Sequence, residues 1–150
     1  MQLSLHADYA LRVLIYLGTH RERLVPTSEI SEAYGISKNH LVRVVQTLAE
    51  SEYVSVQLGR SGGLSLKREP SEIRLGEVIR HAEPNMRLVE CFEAATNTCP
   101  IASACTLKRM LKEALDRFVA TLDQYTLADV LTGSARKQLV QLFTIVNTGV

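Results

Sequence analysis

The sequence predicts a mainly α-helical protein with a small β-hairpin wing, in which a winged helix-turn-helix is followed by a long C-terminal dimerisation helix. Three observations support this fold class. Two helical patterns are separated by the turn "GIS" at residues 35–37. Alternating apolar residues around a glycine-rich centre, "YVSVQLGRSGGLSLK", follow at residues 53–67 and predict the hairpin. An apolar seam at helical spacing then runs along residues 106–125.

Length and composition limit the classes of protein that fit. The chain has 150 residues, enough for one domain with an appendage, and its net charge is only +1. Any face that binds nucleic acid must therefore be a local patch. No apolar stretch is long enough to span a bilayer or resembles a cleaved leader, so we expect a cytoplasmic protein with no membrane partner. Thiols stay reduced in that compartment, where clustered cysteines indicate metal or redox chemistry.

The first three helices are predicted from periodicity and end signals. Residues 5–20 show helical spacing of apolar side chains. A short second helix has Thr27 or Ser28 as its expected N-cap and Gly35 as its end. Small polar residues satisfy free N–H groups at a helix start, and glycine readily adopts the left-handed conformation that closes a helix. Ser37 is expected to cap the third helix, "KNHLVRVVQTLAESE".

After the hairpin the pattern changes again. Residues 71–83 predict another short helix, and the segment 84–105 has no clear period and predicts a loop. Residues 106–125 predict a helix of about five turns. Its apolar seam is longer than a small domain needs for its own core, so pairing with a second copy is the economical interpretation. Residues 135–146 are weakly helical in pattern.

The third helix and the wing carry the residues expected to bind double-stranded DNA. The second helix of a helix-turn-helix enters the major groove, and an arginine on a thin hairpin suits the narrow, negative minor groove. Residues 37–68 hold five basic and two acidic side chains, so positive charge is concentrated where the motif needs it. The candidate DNA-binding residues are Ser28, Ser37, Lys38, Asn39, His40, Arg43, Gln46, Arg60, Ser61 and Gly62.

These motifs also have interpretations other than DNA binding. Helix-turn-helix spacing arises by chance in helical proteins, and solvated basic residues are ordinary, so the hairpin at the right distance is what favours DNA. The sequence "GRSGG" lacks the lysine and the spacing of a P-loop, so nucleotide binding is not expected. The four histidines are scattered and no nucleophile–base motif is present, so an enzyme is not expected.

All three cysteines lie within fifteen residues, with the spacing Cys91-x7-Cys99-x5-Cys105. Structural zinc sites usually leave about two to four residues between paired cysteines, and neither gap matches. A disulfide would leave one thiol over. An iron–sulfur cluster is wider than one ion and suits a longer loop of thiolates, with one ligand position left for another residue. A zinc site, a thiol switch, or three small buried residues remain alternatives.

Taken together, these motifs resemble the small bacterial winged-helix regulators that carry an iron–sulfur cluster, the family that contains IscR, RirA and NsrR. The resemblance covers roughly residues 1–131 and rests on "DYALRVLIYL", "GISKNHLVRVVQTL", "GRSGGLSL" and the cysteine triplet. The segments "LVECFEAATNTCPIASACTLK" and "LDQYTLADVL" are most similar to the NsrR subgroup of nitric-oxide-sensing repressors.

The resemblance implies a ligand set. Cys91, Cys99 and Cys105 correspond to the cluster ligands, and the implied cluster is 4Fe-4S more often than 2Fe-2S. Asp8 corresponds to an aspartate that some relatives supply from the other subunit as the fourth ligand. A role at the start of the first helix explains Asp8 equally well, and His6 is an alternative ligand. Leu107 stands where IscR proteins have a histidine, which argues against that subgroup.

The resemblance also implies a function and a division of the chain. We expect a homodimeric repressor that binds an operator and releases it when nitric oxide destroys the cluster. An iron- or redox-responsive regulator of the RirA or IscR type, or an iron–sulfur carrier that does not bind DNA, are the alternatives. The expected parts are a DNA-binding domain (1–83), a cluster-binding loop (84–105), a dimerisation helix (106–131) and a C-terminal tail (132–150).

Overall fold

The computed structural model describes the backbone of residues 2–148 and the side chains of residues 2–144. The last two residues of the predicted tail lie outside this range. The elements in chain order are α1 Leu5–Thr19, α2 Thr27–Tyr34, α3 Lys38–Glu50, β1 Val54–Gln57, β2 Gly63–Leu66, α4 Leu75–Ala82, α5 Thr106–Leu122, α6 Leu127–Val130 and α7 Gly133–Thr148. Helices dominate and the two strands form one antiparallel hairpin, which confirms the predicted fold class.

The helix-turn-helix forms for the reasons that the sequence suggests, with one exception. Gly35 ends α2 in the left-handed conformation at φ 63°, and the hydroxyl of Ser37 accepts a hydrogen bond from the His40 N–H to cap α3. The predicted N-cap of α2 is wrong, because Pro26 holds that position and both candidates lie inside the helix. Proline needs no partner for a backbone N–H, and its φ of −62° leads directly into the first turn.

The wing is tied to the helices by a third extended segment. In the hairpin, Val54 pairs with Leu66 and Val56 with Leu64. Leu64 also pairs with Val25, through N–H···O=C bonds of 2.8 and 2.9 Å in both directions. Gly63 allows this approach, since a Cβ at that position would lie 2.9 Å from the Val25 carbonyl oxygen. The base of the wing is therefore anchored to the loop that precedes α2.

The core surrounds α1. This helix packs against α3, α4, α6, α7 and β2. Its buried side chains meet the inward stripe of α3, and we refer to α1–α4 with the hairpin as the head. The fully buried large side chains of the core include Val13, Leu14, Tyr16, Leu17, Ile30, Leu41, Leu48, Tyr53, Leu64, Ile73, Ile79 and Leu127. Burial of this apolar surface is the main favourable contribution to the stability of the head.

Two predicted helix boundaries are wrong for a shared physical reason. The helix predicted over 71–83 begins only at Leu75, after a 3-10 turn at Pro70–Glu72. The helix predicted over 106–125 ends at Leu122. Between these boundaries the two segments pair as extended chain: the Leu127 N–H donates to the Ile73 carbonyl at 2.8 Å. The Leu75 N–H donates to Tyr125 O at 3.0 Å. These bonds hold both segments out of the helical conformation.

An arginine clamp fixes the end of α5 to α4. The Arg80 guanidinium donates two hydrogen bonds, of 2.8 and 3.0 Å, to the carboxylate of Asp123, and Arg74 donates to its carbonyl at 2.8 Å. The Arg80 hydrogen bonds hold the pKa of Asp123 below its usual range. Gly76 lets the carboxylate approach, since a Cβ there would lie 2.1 Å from it. The clamp thus sets where α5 leaves the head.

The weakly helical pattern of the tail corresponds to a helix that completes the core. In α7 the Phe143 ring is only 6% exposed, and its centroid lies 4.6 Å from that of Tyr16 and 5.4 Å from that of Tyr34. Leu139, one turn earlier, packs against the same cluster. The helix covers α1 and α2, so the tail stabilises the head. No helix in the described range is both long and apolar enough to cross a membrane.

A hydrogen-bonded carboxylate links α1, α2 and the loop between them. Tyr16 donates its hydroxyl proton to Glu29 at 2.7 Å, and Arg23 donates two hydrogen bonds to the same carboxylate. Hydrogen bonding from Arg23 is the main cause that lowers the pKa of Glu29, and the Tyr16 hydroxyl contributes in the same direction.

We predict that Phe143→Ala destabilises the protein by about 3 kcal/mol, because it removes a buried ring from a packed aromatic cluster. The neighbouring Leu142, which is 57% exposed, provides a matched control: Leu142→Ala should change the free energy of unfolding by less than about 0.5 kcal/mol. Urea unfolding at fixed protein concentration measures both. Equal effects of the two substitutions would contradict the packing of α7.

We predict that the stabilisation from the Arg23–Glu29 pair is lost in acid. The pKa of Glu29 lies below its ordinary value of 4.5, so the pair stabilises the fold above that pH and stops doing so as Glu29 is protonated. Arg23→Ala should cost less than about 1 kcal/mol at neutral pH, because Arg23 is solvent-exposed. Urea unfolding of both proteins from pH 7 to pH 3 should show the difference shrinking; a difference that grows in acid contradicts this prediction.

Candidate DNA-binding face and cysteine segment

The outward face of α3 is defined by the burial of its inward face. Leu41, Val44, Val45 and Leu48 are buried in the head, so the opposite side of the helix faces solvent. That side carries the predicted α3 residues Lys38, Asn39, His40, Arg43 and Gln46, all of which are exposed. The first turn of α3 and its exposed stripe are thus available to enter a groove of DNA.

The basic residues of this face are not paired with acidic side chains in the described part of the chain. Within the described part of the chain, Lys38, Arg43 and Arg60 form no salt bridge, whereas Arg21 and Arg23 of the head are paired with glutamates at 2.6 and 2.5 Å. Unpaired guanidinium and ammonium groups can neutralise phosphates without first breaking an internal ion pair. The face is therefore suited to a polyanion.

The other two basic residues of the predicted patch have structural roles. The Arg68 guanidinium lies 4.9 Å from the centre of the Tyr53 ring and donates to the Ser51 carbonyl at 3.3 Å. Lys67 pairs with Glu52 at 2.6 Å. These contacts join the base of the wing to the end of α3. Two of the five basic residues in the predicted patch therefore stabilise the structure. The other three, Lys38, Arg43 and Arg60, face solvent.

The wing tip carries the remaining predicted residues. Arg60 and Ser61 are exposed and Gly62 is partly buried. Gly59 holds a φ of 111°, which a residue with a side chain rarely adopts, and so turns the chain at the tip. Arg60 is thereby presented at the far end of the hairpin from the core.

Two of the predicted side chains, those of Ser37 and Gln46, already make hydrogen bonds within the chain. Ser28 is partly buried in the first turn of α2, and the Ser37 hydroxyl serves as the cap of α3. Gln46 donates to the Glu50 carboxylate at 2.9 Å. Asn39 and Lys38 are exposed at the start of α3.

Sequence reasoning missed one residue on this face. Val42 is 59% exposed and lies between the predicted residues on the outward side of α3. Its spacing of three from Asn39 could have identified it, because residues three and four apart share one face of a helix. It was overlooked because it is apolar.

The three cysteines lie in an irregular segment between α4 and α5, as predicted. Cys91 sits in a 3-10 turn at Glu90–Phe92, and Cys105 occupies the N-cap position of α5. All three are free thiols and all are partly buried. Among the described residues, no group of three histidine, cysteine, aspartate or glutamate side chains is gathered closely enough to hold a metal ion.

Hydrogen bonds connect two of the cysteine turns. The Glu90 carboxylate accepts hydrogen bonds from the backbone N–H and, at 2.7 Å, the hydroxyl of Thr98. These bonds lower the pKa of Glu90. Glu90 and Thr98 directly precede Cys91 and Cys99, so the pairing brings the two turns side by side. Three partly accessible thiols without disulfides, on the short turns and loops between α4 and α5, make a donor set whose chemistry fits an iron–sulfur cluster.

The structure gives the predicted fourth ligand a role at the start of α1. Asp8 lies in the first turn, where a carboxylate is favourable, and pairs with Arg12 at 2.7 Å. The alternative ligand His6 hydrogen-bonds through Nε2 to the Thr47 hydroxyl at 3.0 Å. The prediction that Asp8 acts on the partner subunit's cluster concerns a second chain and stays a prediction.

Comparison with known proteins identifies relatives along most of the chain. Residues 3–133 match the family Rrf2, described as Iron-dependent Transcriptional regulator. The HTH-type transcriptional regulator NsrR of Bacillus licheniformis is 45% identical over 132 residues, which cover 87% of this chain and 92% of the relative. NsrR of Shouchella clausii is 41% identical over 146 residues, covering 96% and 98%. The predicted resemblance to NsrR is thereby confirmed.

Solved structures agree with this assignment. IscR of T. potens matches with a TM-score of 0.68 and 25% identity, covering 87% of this chain and 86% of that one. CymR of B. subtilis, titled the global cysteine regulator, matches with a TM-score of 0.68 and 24% identity, covering 87% and 95%, and shows the shared fold. The relatives are named as transcriptional regulators, which confirms the expectation that this chain is not an enzyme. The chain belongs to the Rrf2 family of transcriptional regulators.

Proposed function

We propose that this DNA-binding regulator is a homodimeric repressor whose grip on its operator is controlled by an iron–sulfur cluster and released by nitric oxide. The observation that carries the proposal is the set of three free, partly buried thiols in the irregular segment that connects the head to α5. The identity to regulators named NsrR supports nitric oxide as the signal. Because an operator lies on genomic DNA, we also propose a cytoplasmic location.

The geometry of the head supports the proposed DNA contacts. We assign the exposed side of α3 to the major groove and Arg60 at the wing tip to the adjacent minor groove. Lys38 and Arg43 carry free positive charges at the edges of the α3 face, where phosphates would lie. We assign Ser28, at the start of α2, to the DNA backbone beside the same groove.

Dimerisation is proposed through α5. Its surface carries large apolar side chains that nothing in the described chain covers: Leu107 and Met110 are exposed, and Ile101 in the segment before it is exposed as well. A second copy paired along this helix would bury them. Two-fold pairing would place the two α3 helices at half-sites about 34 Å apart, one turn of the duplex.

The proposed ligands are Cys91, Cys99 and Cys105, with Asp8 of the partner subunit in the remaining position. When bound, the cluster supplies iron that reacts with nitric oxide, and its type is proposed as 4Fe-4S in preference to 2Fe-2S. Bound to a cluster, the thiolates of Cys91 and Cys99 would be joined to Cys105 at the start of α5. A carboxylate is a weaker ligand to iron than a thiolate, so the Asp8 position would be the one open to exchange.

Hydrogen bonds connect the residues just before the cysteine segment with α1 and with the junction of α3 and β1. At the end of α4, the Nδ1 atom of His81 lies 2.9 Å from the Tyr53 hydroxyl, at the junction of α3 and β1. The Glu83 carboxylate accepts a hydrogen bond from the Ser4 N–H at 3.0 Å, just before α1. Both contacts lie within three residues of the start of the segment at Pro84. A rearrangement of the segment would therefore pull on α1 and on the base of the wing.

We predict that Cys99→Ala abolishes cluster binding. Wild-type protein purified without air should be brown and contain iron and sulfide, whereas the variant should be colourless because a thiolate ligand is missing. Ser103→Ala, in the same segment, is the matched control and should keep its iron. Iron and sulfide analysis with visible spectroscopy measures the difference. Colourless wild-type protein with stoichiometric zinc would overturn the cluster.

Loss of the cluster should weaken operator binding by about a hundredfold, within the usual range of allosteric coupling. Anaerobic titration of the loaded wild-type protein with nitric oxide should reproduce this loss in a gel-shift assay, and an iron chelator at equal concentration should act more slowly. Release by the chelator alone, with no response to nitric oxide, would instead indicate an iron-responsive regulator.

We predict that Arg60→Ala weakens binding to DNA and lowers the salt dependence of binding by about one unit in the log–log slope, because one positive charge that enters the negative minor groove and releases a counterion is lost. Lys137→Ala, which removes one exposed positive charge from α7, controls for the change in net charge and should leave the slope as it is. Fluorescence anisotropy at several salt concentrations measures both. An unchanged slope for Arg60→Ala would exclude the wing tip from the interface.

A further inference from the structure

The exposed face of α3 contains one apolar side chain. Val42 is 59% exposed, while the other large apolar residues of this helix, on the opposite side, are buried. The neighbouring wing and α2 do not cover it. Single exposed apolar residues are common on protein surfaces, so exposure alone indicates nothing. The position of Val42 among its neighbours is what makes it informative.

Val42 lies in the middle of the stripe that would face the bases. Asn39, Val42, Arg43 and Gln46 follow the spacing i, i+3, i+4, i+7, which places them along one line of the helix surface. An amide side chain precedes Val42 and a free guanidinium adjoins it. A helix that enters the major groove with this face brings the valine methyl groups to the base edges beside Asn39, while Arg43 reaches the phosphates at the edge of the groove.

The major groove presents one apolar group among the base edges. The four base pairs display hydrogen-bond donors and acceptors, and thymine alone adds a C5-methyl group. The methyl groups of Val42 could not satisfy any of the polar edges and would leave them desolvated. Asn39 can donate to and accept from adenine N7 and N6, and such an adenine always has thymine as its partner. The chemistry of the stripe therefore suits an A·T-containing step.

We infer that Val42 is a specificity-determining residue that packs on the C5-methyl group of an operator thymine, beside the base pair contacted by Asn39. The inference rests on the proposed placement of α3 in the major groove. The Val42 contact would require a thymine at this part of the operator, which the placement of α3 alone does not specify. Because the methyl–methyl contact buries about one methylene equivalent, it is worth about a fourfold change in affinity for each thymine.

The test removes the contacting methyl groups from each side in turn: both γ-methyl groups of Val42, or the C5-methyl of thymine. The probe is the duplex that the full-length wild-type protein, loaded with its cluster without air, enriches from a random-sequence pool. Each thymine of that duplex is replaced singly by deoxyuridine, which lacks only the C5-methyl. Binding is measured for wild type, Val42→Ala and Val140→Ala. The last is the matched control, since Val140 is an exposed valine on α7. Alanine favours helix, so Val42→Ala should fold normally.

Wild type and Val140→Ala should bind one deoxyuridine duplex about fourfold more weakly than the thymine duplex. Val42→Ala should bind the thymine duplex about fourfold more weakly and lose this discrimination at that position alone. Full discrimination by Val42→Ala at every thymine would overturn the inference. Arg43→Ala distinguishes a failure of the Val42 contact from a failure of the proposed placement of α3. It should weaken binding to the thymine and deoxyuridine duplexes equally. If it has no effect on either duplex, the placement of α3 in the major groove is wrong.

Discussion

The burial of α1 in the middle of the molecule is the constraint on which the other elements depend. Its side chains are covered by α3 on one side, by α4 and β2 on others, and by α6 and α7 at its C-terminal half. Close packing leaves little room for any of these elements to shift independently. The positions of α3, the wing and the C-terminal end of α5 are thus all fixed relative to this one buried helix.

Two sets of polar contacts extend this rigidity to the periphery. The clamp of Arg74 and Arg80 on Asp123 fixes the end of α5, and the contacts of His81 and Glu83 fix the end of α4. The cysteine segment runs between these two anchored helices. A ligand that gathers the three thiols would therefore act next to the anchored end of α4, and the contacts of His81 and Glu83 would pass a rearrangement of the segment to α1 and to the junction of α3 and β1.

The basic residues of the head divide between two tasks according to their partners. Those at the base of the wing and around α2 are paired with acids, carbonyl groups or an aromatic ring, and they hold the elements in place. Those on α3 and at the wing tip have no salt bridge in the described chain and face outward. This division explains how a protein of net charge +1 can present a cationic surface to DNA.

Local rules of sequence determined much of this protein. Gly35 and Ser37 mark the turn between α2 and α3, the alternation around Gly59 marks the wing, and helical periodicity alone separates the buried and exposed sides of α3. The spacing of the cysteines likewise pointed to their chemistry, although whether they gather on a cluster depends on a group that the chain itself does not supply.

What only the tertiary structure decided depends on distant partners. The start of α4 and the end of α5 are set by pairing of Ile73 and Leu75 with residues some fifty positions later, and α7 packs on the head because the Phe143 ring contacts the ring of Tyr16. Periodicity reports the neighbours along a chain, and it contains no information about which remote segment will satisfy a backbone hydrogen bond or cover an aromatic ring.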